Sequence, residues 1–215
     1  MNLRIGLVLV VLAACAAVIG PSLVSADPRA QELALRLAGP SWAHPLGLDE
    51  LGRDILARLL AGARVSMLVG VSVVSVSAGV GLLVGGIAGY AGGWIDTLLG
   101  RVIDVLMAFP GILLAIALVA ALGPSLRNVV FALATIGWVG YARLVRGQVL
   151  KAKEYEYVHS ARSLGASAPR ILLRHVLPAA YPAVLVQATL GMAGAIVAEA
   201  SLSFLGLGVQ PPTPS

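Results

Sequence analysis

The stretch VSMLVGVSVVSVSAGVGLLVGGIAGYAGGWI, Val65–Ile95, contains no charged residue. A helix needs about 20 mostly apolar residues to cross the hydrocarbon layer, so this one can span it with length to spare. Gly81, Gly85 and Gly89 recur every four residues and form one glycine stripe. Such a stripe lets two backbones approach closely, so it reads as a helix–helix contact face. Ser66, Ser72, Ser75 and Ser77 precede it. Packing within a bundle of membrane helices explains this texture better than a direct role on a substrate.

Four further apolar runs flank this one: Ile5–Ala26, Val105–Leu126, Asn128–Ala142 and Val176–Ala198. The third is carried on by Leu144, Val145 and Val149, past Arg143 and Arg146, which can snorkel to a headgroup layer. The last is interrupted at Glu199 and continues weakly to Leu207. The expected fold is all-α, a polytopic membrane helix bundle. Its five spans are expected over 1–26 and near 65–90, 105–124, 128–149 and 179–205. Composition agrees. Of 215 residues, 59% are hydrophobic and 12% charged, against about 45–50% and about 25% in soluble domains. The net charge of +5 lies between apolar runs, which reads as membrane-flanking charge and not as a nucleic-acid patch. The single Cys15 cannot form an internal disulfide.

Arg4, a long apolar core and V-S-A before Asp27 resemble a secretory signal, and L-A-A-C at Leu12–Cys15 resembles a lipoprotein cleavage box. The core is long for a signal peptide, so an uncleaved first helix is expected. Arg143, Arg146, Lys151, Lys153, Arg162, Arg170 and Arg174 make 143–174 the most basic region. Five alternating spans from a cytoplasmic Arg4 place the 150–178 loop inside, as the positive-inside rule requires. They place the amphipathic 27–64 segment outside. Residues 65–215 form the core.

Neither lysine follows a glycine, so the chain lacks a P-loop; it also lacks H-E-x-x-H and a Cys pair. His44, His159 and His175 are far apart, and Asp96 and Asp104 sit near a membrane boundary. No catalytic constellation or metal-ligand spacing emerges. The expectation is a non-enzyme with no catalytic, metal or cofactor residues. Glu199 falls nineteen residues beyond Ala180, roughly 28 Å at 1.5 Å per residue, which places it near the outer interface. It either faces a pore or substrate path, or is satisfied by Ser201, Ser203 or water.

The polar segment YVHSARSLGASAPRILLRHVLP, Tyr157–Pro178, stands apart. Residues from Lys151 to Leu164 favour helix, and Gly165 suits a C′ terminator. Ser167 can cap a second helix, with Pro169 in its first turn. That piece runs to Leu177, and Pro178 breaks or redirects it. Tyr157, Val158, Ala161 and Leu164 share a third of the first helix's circumference. This apolar stripe with a basic rim could lie on lipid or enter a partner's groove.

The segment resembles the E-A-A-x3-G-x9-I-x-L-P loop of ABC importer permeases. Ala161, Gly165, Leu177 and Pro178 match at that spacing, while His159 replaces the Glu, Ser160 the first Ala and His175 the Ile. These departures leave the glycine hinge intact. HPLGLDELGRDILARLLAGARVSMLVG, His44–Gly70, is similar to the signature of the C-type permease of dipeptide, oligopeptide and nickel importers, which usually has Thr where Leu48 stands. GYAGGWIDTLLGRVIDVLMAFP, Gly89–Pro110, and AEASLSFLGLGVQPPTPS, Ala198–Ser215, resemble the same family. The likeness covers the chain from residue 40 onward. Family members continue past a P-P-T-P-S-W-G-like loop into a sixth span. A truncated sequence is the simplest expectation here, and a five-span form the alternative.

The resemblance implies a type I ABC importer permease fold in the cell inner (cytoplasmic) membrane. It implies a second permease subunit as heterodimer partner, two P-loop ATPase subunits, an extracytoplasmic substrate-binding protein and membrane lipid, but no nucleic acid. The ATP would be used by the partner subunits. Di- or oligopeptides, nickel or similar small solutes are the implied cargo. Coupling would run through residues 154–178, with Tyr157, Val158, His159, Ala161, Leu164, Gly165, Leu177 and Pro178 as its working residues. The first helix would dock in an ATPase groove, Gly165 would allow the turn, and Pro178 would relay motion into the last span. Gly92, Gly93 and Asp96 would make a second ATPase contact. Glu199, Ser72 and Ser75 are candidate pathway residues. The alternatives are a channel or ion-coupled transporter without ATPase, which needs titratable groups near the midplane, and an anchor whose basic loop binds only anionic lipid.

Overall fold

The computed structural model describes residues 3–24, 26–210 and 213. Ser25 of the V-S-A triplet and all of the Pro-Pro-Thr-Pro-Ser end except Thr213 lie outside the described residues. The main helices are α1 (Leu3–Val18), α2 (Gly20–Leu23), α3 (Ile55–Ala91), α4 (Gly93–Met107), α5 (Gly111–Leu122), α6 (Leu126–Ala152), α7 (Glu156–Ser163), α8 (Ala168–Ile171) and α9 (Tyr181–Phe204). A π turn at Leu172–Val176 and a 3-10 turn at Leu177–Ala180 join α8 to α9.

α3 starts where Asp54, in extended conformation, accepts the Ala57 N–H at 2.8 Å. An acceptor there satisfies one of the helix's orphan donors. The helix ends at Gly92, whose φ of 65° suits glycine best. Its 37 residues measure roughly 55 Å at 1.5 Å each, more than the ~30 Å hydrocarbon layer. The last part of the 27–64 segment, from Ile55 onward, is thus already helical and forms the start of α3. Within it, Leu48 and Asp54 are buried, and the Asp49 carboxylate binds Arg53 Nε at 2.7 Å.

The glycine stripe is the seam of the fold. A Cβ at Gly81 would collide with Tyr141, one at Gly85 with the Ala142 backbone, and one at Gly89 would sit 2.9 Å from the Arg146 carbonyl oxygen and from Val149. Residue numbers rise together on both helices, so α3 and α6 run parallel. α9 runs the other way along α3. Leu177 packs at Gly86, Met192 and Ile196 lie at Gly70, and Glu199 reaches Ser66. α1 ends near the start of α3, where Gly20 meets Leu60. This topology gathers the α3–α4 elbow and the basic 151–174 region at one end of the bundle, the end assigned to the cytoplasm.

The Val105–Leu126 run is not one straight helix. It splits into the end of α4 and the whole of α5, bent by 84°. Pro110 lacks an N–H and drives Phe109 out of the helical region, so the helix stops at Met107 and restarts at Gly111. Three helical runs are long and apolar enough to cross a membrane: α3, α6 and the continuous Ala168–Phe204 path; the bent pair would make a fourth. α1 is apolar but has only 16 described helical residues, roughly 24 Å, and the short α2 follows it. The expected count of five spans thus corresponds to three full-length runs, one bent pair and one shorter helix among the described residues.

At the other end, Ser125 caps α6 by accepting the Asn128 N–H at 3.2 Å. The Asn128 amide returns the bond, donating to the Leu122 and Gly123 carbonyls at 3.0 and 2.8 Å. One tight turn thus closes α5 and opens α6. Ala115 and Val119 pack there against Val129, Ala132 and Leu202.

Candidate coupling site

The basic end is built on a cluster of Val145, Val149 and Ala152 from α6, Val158 from α7, and Val176 and Leu177 from the root of α9. Helix was expected to run unbroken from Lys151 to Leu164, but α6 stops at Ala152 and α7 begins at Glu156. The chain has to turn here to bring Val158 back onto Val149 and Ala152. Val158 is 0% exposed and Leu164 is 88% exposed. The expected apolar stripe is therefore divided. Val158 belongs to this chain's own core and is not available to a partner's groove, whereas Leu164 projects from the surface. Tyr157 is exposed along its ring, and its hydroxyl donates to the His175 carbonyl at 3.1 Å.

Gly165 closes α7 as its spacing required. It has φ 81°; its N–H donates to the Arg162 carbonyl at 3.0 Å and the Ala166 N–H to the Ala161 carbonyl at 3.1 Å. That bond pair defines a left-handed C-terminal cap, where a side chain would be strained. Ser167 occupies the N-cap position of α8 but makes no side-chain cap bond, so its expected capping role fails. Pro169 lies in the first turn of α8. Pro178 neither ends nor redirects the helix, because Ala168–Phe204 is one helical path. Proline removes one N–H from the ladder, and the π and 3-10 turns beside it absorb the mismatch. His159 lies 4.0 Å from Glu154 in an exposed pair.

The α3–α4 elbow shares this end. Gly92 and Gly93 both have positive φ, 65° and 57°. Asp96 pairs bidentately with Arg146, through Nε and through Nη2 at 2.8 Å, and Lys153 Nζ donates to the Gly89 carbonyl at 3.3 Å. Arg146 is thus tied to the elbow by an ion pair at the edge of a polar cleft. Arg143 Nη1 points at Met107 Sδ, 3.4 Å away.

Glu199 is 1% exposed. Its carboxylate accepts from Ser203 Oγ at 2.7 Å and Ser66 Oγ at 3.5 Å. Of the expected hydroxyl partners Ser203 is seen, joined by Ser66, while Ser201 donates to the Val197 carbonyl instead. Ser72 is half-buried and Ser75 exposed. Neither they nor Glu199 line the apolar cavity of about 290 Å³ that Ser77, Tyr141 and Gln187 share between α3, α6 and α9.

Three contacts escaped the sequence reading. Asp96–Arg146 and Tyr157–His175 join residues 50 and 18 positions apart, and no local pattern marks them. The third did carry a signal: an Asp directly before an apolar run is a helix-start pattern. Asp54 also accepts from His44 Nδ1 at 2.8 Å. Burial pushes its carboxyl up, but the Ala57 N–H, His44 and the Leu56 N–H outweigh that and hold it below the ordinary 3.8.

Residues 81–215 match the family model described as binding-protein-dependent transport system inner membrane component. The dipeptide transport system permease protein DppC of Bacillus subtilis is 46% identical over 196 residues, covering 91% of this chain and 61% of that protein. The glutathione transport system permease protein GsiD is 49% identical in Pectobacterium atrosepticum and 52% in Escherichia coli, over 82% of this chain and 58% of theirs. The chain thus spans about three-fifths of the length of these curated relatives. A helical bundle with several apolar runs, carrying the permease loop at its basic end, agrees with that match, and the chain belongs to the family of inner membrane components of binding-protein-dependent transport systems.

Proposed function

We propose that the chain works as one permease half of an ATP-driven importer, coupled to a separate ATPase pair through α7 and the turns leading into α9. The relatives are named for a dipeptide and for glutathione, both short peptides, so a short peptide is the proposed cargo. A second permease, two P-loop ATPase subunits and an extracytoplasmic binding protein complete the proposed assembly. The chain itself binds no nucleotide in this reading.

One observation carries the proposal: α7 has an inner face fixed to the root of a membrane helix and an outer tip that is free. Val158 and the Tyr157–His175 bond hold it to the start of α9, while Leu164 stands exposed before the Gly165 turn. A push on the tip therefore reaches α9 through packed side chains and not through a slack loop. Gly92 and Gly93 form the second proposed ATPase contact, with Asp96 fastening that elbow to α6. Glu199, Ser72 and Ser75 remain proposed pathway residues once a second permease is present.

The test is site-directed crosslinking in the assembled transporter. With Cys15→Ser as background, Leu164→Cys is expected to crosslink to an ATPase subunit and Val158→Cys is not. Impermeant thiol reagents applied to intact cells should leave Leu164→Cys unlabelled. Labelling from outside, or failure of the wild-type chain to co-purify with any ATPase, would sink the proposal.

A further inference from the structure

α4 does not run with the bundle. It is bent by 84° from α5, and α5 lies along α6, so α4 slants across the bundle, from Arg146 of α6 at Asp96 to Ile136 at Gly111. Asp96 pairs with Arg146, and Ile103 packs on Val139 and Ala142. Those α6 residues lie roughly 10–20 Å from its C-terminal end at 1.5 Å per residue. α6 is roughly 40 Å long and overruns a ~30 Å hydrocarbon layer by about 10 Å. The Arg146 end of α4 therefore lies at the cytoplasmic headgroup boundary, and the helix dips from there toward the hydrocarbon.

The helix is amphipathic in the sense this placement needs. Trp94, Leu98, Val102 and Val105 are all exposed, and at 100° per residue they fall within an arc of about 80°. Ile103 is buried on the far side. Between the two, Thr97, Arg101 and Asp104 face Arg143 and Arg146 of α6 across a polar cleft of about 360 Å³. Arg146 is occupied by Asp96. Among the described residues Arg101 and Asp104 make no ion pair, and the polar contact of the Arg143 side chain is with the Met107 sulfur. Two uncommitted guanidinium groups from two helices and one uncommitted carboxylate therefore share a cleft beside an exposed apolar stripe. Arginine forks suit phosphate, an exposed apolar stripe with a tryptophan suits the lipid interface, and a carboxylate suits an amine.

We propose that the cleft between α4 and α6, which opens at the cytoplasmic headgroup boundary, binds one aminophospholipid of the cytoplasmic leaflet, its phosphate on Arg101 and Arg143 and its amine on Asp104. This does not depend on which cargo the chain carries or on the coupling proposal.

The experiment uses the full chain in nanodiscs of equal phosphatidylethanolamine and phosphatidylglycerol, released into detergent and examined by native mass spectrometry. One tightly held phosphatidylethanolamine per chain is expected. Arg101→Gln with Arg143→Gln should lower its retention at least about tenfold per arginine lost, while Arg162→Gln on the exposed α7 should not. Asp104→Asn should keep a bound lipid but lose the preference for the amine. Millimolar inorganic phosphate should not displace it. The proposal is overturned if wild type retains no lipid, if the double variant retains as much, if Asp104→Asn leaves the preference unchanged, or if inorganic phosphate competes. Should the double variant not purify, a spin label at Val105→Cys in the Cys15→Ser background decides. Accessibility to oxygen in the bilayer supports the lipid-facing stripe; burial against another subunit overturns it.

Discussion

Replacing Gly85 by alanine puts the glycine seam to its hardest test. A Cβ there would collide with the Ala142 carbonyl oxygen and sit 3.0 Å from the Ala142 carbonyl carbon and Cα. Comfortable carbon–carbon separation is about 3.5–4.0 Å, so α3 and α6 must part by roughly 0.5–1 Å. All the colliding atoms are backbone, and no rotamer change relieves them. A gap of that size forfeits about a quarter to a half of each contact's attraction along the seam. Overpacking of this kind costs about 1–3 kcal/mol, and a rigid backbone neighbour puts Gly85→Ala near the upper end. For a chain of this length, 1 kcal/mol moves the midpoint by about 2–4 °C, so a drop of roughly 6–12 °C is expected. The assay is thermal unfolding of the purified chain in detergent, followed by tryptophan fluorescence. Gly79→Ala is the internal control: same helix, same chemistry, and nothing within 4 Å of the new methyl. It should be neutral or slightly stabilising, because alanine is the better helix former. If Gly85→Ala and Gly79→Ala melt together, the close approach of α3 and α6 is not what holds the bundle.

Val158→Ala removes a fully buried side chain from the cluster beneath α7, and a loss of about 2 kcal/mol is expected. The more specific sign is faster hydrogen exchange across residues 156–164 with little change in α3; unchanged exchange there would mean that α7 is not fastened by this contact. Asp54→Ala should cost about 1 kcal/mol through the lost α3 cap, whereas Asp54→Asn keeps a capping oxygen and removes only the titrating group. In wild type the Asp54 carboxyl lies below its ordinary 3.8, so its contribution is fully present above that value and is lost as pH falls through the lowered one. Melting temperature against pH from 7 to 3 should therefore fall less steeply in Asp54→Asn. A parallel pair of curves would remove Asp54 from the account.

Much of this architecture was legible along the chain because the deciding interactions are local or periodic. A charge-free run reports a helix that can live in lipid, whatever it packs against. Glycines four apart report a smooth helix face. Gly165 reports the end of α7 because a left-handed residue is needed there and the residues that bond across it are its neighbours in sequence. The errors also have a local cause. Pro110 lies within the Val105–Leu126 run, and its missing N–H breaks the helix between α4 and α5 although the run is apolar throughout. Ser167 had the right residue type and position, yet its side chain does not turn to the backbone.

The amino-acid order by itself determined that the chain is a bundle of apolar helices, that its basic loop is a hinged pair of short helices, and that α3 offers a face made for another backbone. Only the tertiary structure decided which backbone that is, that Val158 faces inward while Leu164 faces out, that Glu199 is satisfied by Ser203 and Ser66, and that α4 lies across the bundle. Periodicity tells which side chains share a face of one helix. It carries no information about which distant segment will cover that face. That choice is made by shape and charge matching between residues as far apart as Asp96 and Arg146, once the helices are already formed.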